Sequence, residues 1–377
     1  MKELGIILCV IAAVIIPNSA SAETKEKSKW HDTISIEGMI DARVVYKAFD
    51  VNAKDVDALR TSDIQVRYAG LGAVIEPTDF IEAYMLFLFE EFYGGREDAP
   101  FAYFGDGSEN FDMDEGWVKL HNNGAFFRIG KGYLPFTHET TFAVKDPLTW
   151  YYGDCRHTLA EIGYEHDIIT LSVGAFNGNS DNADSHGEPG DDMIDGFVIH
   201  AHVNPLTRIS GYSLEIGGGF INDLTEAAIG SDFLDPNGNY ENNVFGYSGY
   251  LHFEAEFTQN IGLGVEFEYA SSGEFDRDNY VNAADEQTAI DAINAEVQAP
   301  FLKHYWIGGK YESIGGLDWM ETAQYNSDFE PTAFHGYGGF AGTNVLKPVT
   351  LAFQFIRGVD NESNAMTELI FQTLLEF

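Results

Sequence analysis

Cationic side chains are scarce in this chain: 21 Lys and Arg stand against 60 Asp and Glu in 377 residues, a formal net charge of −39. Binding to a phosphate backbone needs clustered Lys and Arg, so the balance excludes nucleic acid as a partner. Cysteine is scarcer still, with only Cys9 and Cys155. Cys9 lies in an N-terminal apolar stretch, and once that stretch is removed on export Cys155 has no partner for an internal disulfide. Stability must then come from packing or from a closed hydrogen-bond network. Beyond the same stretch no apolar run reaches the roughly 20 residues that a membrane-spanning helix requires. The chain is nevertheless no disordered polyanion, because hydrophobic residues make up 45% of it and aromatic residues 14%, enough to build a folded structure.

The N-terminus reads as an export signal. Lys2 precedes an apolar stretch from Leu4 to Ile16, and the small residues Ala20 and Ala22 follow at signal-peptidase spacing, which predicts a signal peptide over 1–22. At about 13 residues the stretch is too short to span a bilayer. Lys2 and Glu3 leave together, so the acidity belongs to the working protein. Residues 23–32 form a short charged lead that faces the periplasm, and 33–377 form one domain.

Within that domain the dominant signal is period two. Phe245, Tyr247, Leu251, Phe253, Ala255 and Phe257 alternate with Ser248, His252, Glu254 and Glu256. After Thr258-Gln259-Asn260, Ile261, Leu263, Val265, Phe267 and Tyr269 alternate with Gly262, Gly264, Glu266 and Glu268, completing an amphipathic hairpin. The same pattern runs from Ile34 to Tyr46 and from Leu369 to Phe377. The 39 glycines supply turns. Sixteen strands are predicted, at 33–47, 62–76, 79–93, 111–121, 125–134, 158–166, 168–176, 193–204, 208–221, 244–257, 261–270, 301–312, 317–326, 333–343, 349–357 and 365–377. Short connections near Pro77, Asn123, His166, Pro205, Gln259, Gly315 and Pro348 alternate with longer ones. A soluble sandwich has no reason to keep that order, whereas an even antiparallel barrel with both ends in the periplasm demands it. The fold class is therefore all-β: a transmembrane antiparallel barrel of sixteen strands in the bacterial outer membrane, its outer face against lipid, with no plug domain. The spacing of Ile290, Ile293 and Val297 in the sixth loop, 271–300, predicts a short external helix.

Chemistry concentrates in two places. The third loop, 135–157, combines His138, Glu139, Lys145, Asp146, Trp150, Tyr151, Tyr152 and Arg156, a set able to offer donors, acceptors and aromatic faces to a polar solute if the loop folds inward as a constriction. Salt bridging within the loop is the competing reading. Glu254, Glu256, Glu266 and Glu268 form an acidic lumen wall, with Glu37, Asp41 and Glu368 on a second one near the seam, an arrangement that favours cations. His200 and His202 share a strand face, and His252 and His304 are expected inward, yet a metal needs three or four converging ligands and none is assigned. The acidic fourth loop, NGNSDNADSHGEPGDD, lacks the EF-hand pattern. No hydrolase motif occurs, so neither enzyme activity nor a cofactor is expected.

The runs GKGYLPF (Gly130 to Phe136), DPLT (Asp146 to Thr149), GDCRHTLAEIGYE (Gly153 to Glu165) and LSVGAFNG (Leu171 to Gly178) resemble the LbtU family of siderophore porins, most clearly over about 111–180. Gly130, Lys131, Tyr133, Pro135 and Phe136 match its first motif, and Asp146, Pro147, Leu148 and Thr149 its second. The resemblance implies a plugless outer-membrane barrel that takes up an iron–siderophore complex passively. It assigns no residue a binding role, and the chain departs from it in its short lead and in Cys155 before Arg156. The first motif is also similar to that of general and anion-selective porins. Three readings follow: a siderophore porin, a general cation-favouring porin for small polar solutes, and a barrel enzyme or adhesin. A homotrimer is expected by resemblance alone.

Overall fold

The computed structural model describes residues 33–50, 59–91, 109–138, 140–144, 147–149, 156–177, 194–224, 244–273, 275–276, 287–288, 291–315, 334–360 and 365–377. The signal-peptide and lead segments lie outside the described residues. Among the described residues eighteen strands follow in chain order: β1 (Ile34–Asp50), β2 (Leu59–Thr78), β3 (Ile81–Glu91), β4 (Glu109–Asn122), β5 (Ala125–Tyr133), β6 (Arg156–His166), β7 (Ile169–Asn177), β8 (Ile194–Val203), β9 (Tyr212–Ile221), β10 (Gly246–Thr258), β11 (Ile261–Ser272), β12 (Phe275–Asp276), β13 (Gln287–Thr288), β14 (Asp291–Phe301), β15 (Tyr305–Gly315), β16 (Phe334–Leu346), β17 (Val349–Asp360) and β18 (Ala365–Glu376). Strands β12 and β13 pair only with each other, and the remaining sixteen close one antiparallel barrel in chain order. Closure runs from Met39 opposite Glu376 to Asp50 opposite Ala365. Two backbone bonds between Gly38 and Phe377, at 2.8 and 2.9 Å, extend the seam. No edge strand is left in the cylinder, which removes the unpaired amides that hydrocarbon would not tolerate.

Alternation sets which face each side chain takes. On β1, Ile36, Ile40 and Val44 are exposed while Asp41, Arg43 and Val45 are buried. On β11, Phe267 is exposed between Glu266 and Glu268, each 1% exposed. Ile64, Leu71, Val173, Ile199, Ile216, Val297, Ile307 and Phe371 continue the outer surface around the ring. So extended a band of large apolar side chains suits lipid, and the buried charges face the interior.

The sixth connection departs from expectation. In place of a helix before residue 300, β14 occupies 291–301, pairing with β11 and β15. Ile293 and Val297 are four apart, a spacing that fits one helix turn and also two repeats of a strand, so their pattern did not discriminate. Asn294 and Glu296 are buried between them while Val297 is exposed, which is period two. The short connection expected at Gly315 falls instead at 302–304, between β14 and β15. His304, expected inward on a strand, lies in that turn with Nδ1 3.0 Å from Asn344 Oδ1. The strand expected at 317–326 falls outside the described residues, as do Ile290 and the fourth loop.

Candidate functional site

The segment between β5 and β6 leaves the wall at a distorted corner. Gly130 has φ +140°, and a Cβ there would stand 2.2 Å from the Gly116 carbonyl oxygen, so only glycine fits. Lys131 Nζ caps the Met113 carbonyl at 2.8 Å. The chain then carries Leu134, Phe136 and Leu148 into an apolar layer with Leu159, Phe176, Val198, Ile221, Leu224 and Ala270. Those wall residues sit at the long-loop ends of their strands. The GKGYLPF run is therefore the point at which polypeptide turns off the wall, and its apolar residues anchor the turn.

Past Phe136 the segment meets strands across the ring from its own. The His138 amide donates to Glu268 Oε1 at 2.6 Å, and Thr149 Oγ1 donates to Glu268 Oε2 at 2.5 Å. Glu296 on β14 accepts three bonds, from Thr141 Oγ1 at 2.7 Å and from the amides of Phe142 and Ala143 at 2.7 and 3.1 Å. The Val144 amide reaches Gln354 Oε1 on β17 at 2.6 Å, and its side chain packs with Val45, Ala352 and Ile370. In the cyclic strand order β14 and β17 flank the position opposite β5 and β6. A segment rooted between β5 and β6 that bonds to both crosses the interior.

Strand register prepares the receiving wall. Directly opposed residues form one row, Glu215 on β9, His252 on β10, Glu266 on β11, Glu296 on β14 and Lys310 on β15. A second row sets Tyr250, Glu268, Asn294 and Glu312 side by side. Lys310 Nζ lies 3.4 Å from both Glu296 and Glu312, with all three buried. Buried acids require such partners, and loop amides supply more of them at Glu268 and Glu296. Cations stand on other strands: Arg43 pairs with Asp41 at 2.7 Å, Lys47 with Glu368 at 3.4 Å and Arg128 with Glu161 at 2.8 Å.

The wall glycine at 219 marks a close approach of the segment. A Cβ on Gly219 would lie 2.4 Å from the Phe136 carbonyl oxygen. Ser248 Oγ donates to that same oxygen and accepts the Gly219 amide at 3.0 Å.

Among the residues expected to form the constriction, His138 is described and lies against the wall. Its ring stacks on Tyr250 at 4.3 Å and its Nδ1 is 2.9 Å from Glu266. Glu139, Lys145, Asp146, Trp150, Tyr151 and Tyr152 fall outside the described residues, as does the Arg156 side chain. Of the four wall acids, Glu266 and Glu268 are buried beneath the segment, whereas Glu254 and Glu256 are exposed near the short turn before β11. Glu215, Glu296, Lys310 and Gly219 were missed by the sequence reading. Glu296 and Lys310 occupy inward positions of alternating segments, a signal that correct placement of β14 would have exposed.

No protein-family model and no curated protein sequence matches the chain. Solved structures match its fold. OprB of Pseudomonas putida superposes with a TM-score of 0.62 at 11% identity, covering 92% of this chain and 95% of that one. The outer membrane channel DcaP of Acinetobacter baumannii gives 0.54 at 10% identity, over 91% and 97%. A loop-deletion mutant of OmpT, an outer membrane protein of Vibrio cholerae, gives 0.51 at 13% identity, over 92% and 100%. The fold is thus that of bacterial outer-membrane porins.

Proposed function

We propose that the protein is a diffusion porin for small polar solutes, favouring cations and narrowed by the segment that enters the barrel after β5. The observation that carries this reading is one stretch of polypeptide fixed across the interior of a closed sixteen-stranded barrel by Glu268, Glu296 and Gln354. A fixed segment of this kind narrows a passage while the barrel stays rigid. The exposed carboxylates of Glu254 and Glu256 and the overall charge of −39 attract cations to its mouth. Transport is passive and follows the gradient.

The narrower reading, uptake of an iron–siderophore complex, has its support in the motif resemblance. The motif residues Gly130, Lys131, Leu134, Phe136, Leu148 and Thr149 all have structural duties in launching and anchoring the segment, duties that any porin of this build would need. They therefore favour shared architecture over a shared solute.

Single-channel current of the folded protein in a planar bilayer, under a salt gradient and with ferric hydroxycarboxylate siderophores titrated in, tests both. Open, cation-preferring currents without block support the general porin. Saturable block by the siderophore transfers support to the narrower reading, and absence of conductance overturns both.

A further inference from the structure

We propose that the barrel interior holds a divalent transition-metal site built by His138 of the inward segment, His252 of β10 and Glu266 of β11. One donor atom from each lies within 4.8 Å of the others. His138 Nδ1 is 2.9 Å from Glu266 Oε1, and His252 Nδ1 is 2.5 Å from Glu266 Oε2, so two imidazoles converge on one carboxylate. The second nitrogen of each ring faces a different acid: His138 Nε2 is 3.7 Å from Glu215, and His252 Nε2 is 4.0 Å from Glu254. Metal-binding histidines adopt this arrangement, with one nitrogen toward the ion and the other toward an outer carboxylate that fixes the tautomer and raises basicity.

The surroundings suit a dication. Glu266 is 1% exposed. The Tyr250 ring stacks on His138, and the Phe142 ring lies 5.3 Å from that of His252, so aromatic surface shields the group from bulk water. Bonds of ~2.1 Å to a tetrahedral ion hold donors ~3.4 Å apart. The two histidine–carboxylate separations, 2.9 and 2.5 Å, are shorter than that value, and side-chain rotations that open them admit the ion. Thr140 Oγ1, 2.8 Å from His138 Nδ1, gives way to the ion. Two imidazoles and one carboxylate select Zn²⁺ or Co²⁺ over Ca²⁺ and Mg²⁺, which prefer oxygen alone. Each imidazole binds the ion through Nδ1 and keeps its proton on Nε2, toward the outer acid. A fourth position falls to water. Because the ligands come from the segment and from two wall strands, the ion ties the constriction to the wall. This inference rests on side-chain geometry and stands whether or not the barrel conducts.

The test uses the full chain folded in detergent, stripped with chelator, and titrated with Co²⁺ in excess Mg²⁺. One saturable equivalent with the visible absorption of low-coordinate, nitrogen-ligated Co²⁺ is expected. His252→Gln and Glu266→Gln should each weaken affinity at least ~10-fold, the scale seen for losses around metal sites. Should either wall variant fail to fold, His138→Gln removes a ligand on the segment and leaves the wall unaltered. Absence of a saturable Co²⁺ spectrum in the native chain, or undiminished affinity in the folded variants, overturns the proposal. In the latter case the ion binds carboxylates elsewhere in the chain.

Discussion

Thr149 and Glu268 are 119 positions apart in sequence, and their side chains meet in a buried hydrogen bond of 2.5 Å. The other oxygen of the same carboxylate takes the His138 amide at 2.6 Å. One wall residue thus holds the inward segment at two points.

Glu268→Ala should therefore loosen the segment without opening the barrel. Hydrogen bonds to a buried carboxyl group contribute about 0.5–3 kcal/mol each, from its neutral to its charged form, and both are lost. The expected outcome is faster proteolytic cleavage within 134–149 and a larger, noisier single-channel current, with the heat-induced shift in electrophoretic mobility kept. An unchanged cleavage rate would show that the apolar anchors Phe136 and Leu148 suffice.

Gly219→Ala should displace the segment by sterics alone. The added methyl would meet the Phe136 carbonyl, which Ser248 also engages. Overpacking of this kind costs about 1–3 kcal/mol. Conductance should change while charge selectivity stays, because no ionisable group changes; a current identical to that of the native chain would contradict the close approach.

Lys310 separates two buried carboxylates. Lys310→Met leaves Glu296 and Glu312 facing one another without a cation, a loss expected to destabilise by about 3–5 kcal/mol. Adding Glu312→Gln should restore much of it. The thermal midpoint of the mobility shift reads both variants, and additive losses in the double variant would refute the coupling.

Neutralising exposed Glu254 and Glu256 together to Gln should lower the cation preference measured as reversal potential under a salt gradient. Stability should move by no more than about 0.5 kcal/mol, the usual range for exposed substitutions. An unchanged reversal potential would assign selectivity to acids elsewhere in the chain.

Most of the wall was legible from residue alternation. Ile36, Ile40 and Val44 against Asp41 and Arg43 announce a strand with one apolar face, and nothing outside β1 is needed to see it. β14 was lost because Ile293 and Val297 suit either period; the strand signal, Asn294 and Glu296 on one face, lies between them. Of the inward segment, His138 and its loop were legible as an unusual cluster of chemistry, but the partners that hold it were not. Glu296, Gln354 and Gly219 lie far along the chain and carry no local mark of that role.

The sequence by itself determined the class of structure. Period-two amphipathicity and alternating connection lengths allow few outcomes other than an even antiparallel barrel, because each strand must show one face to lipid and one to the interior. Only the tertiary structure decided what the interior does. Register places Glu266, Glu296 and Lys310 in one row and Glu268 in the next, and ring closure brings β14 and β17 opposite β5 and β6. Pairing across strands depends on the sum of many backbone hydrogen bonds and contacts, so no local stretch encodes which carboxylate will meet the segment that crosses the barrel.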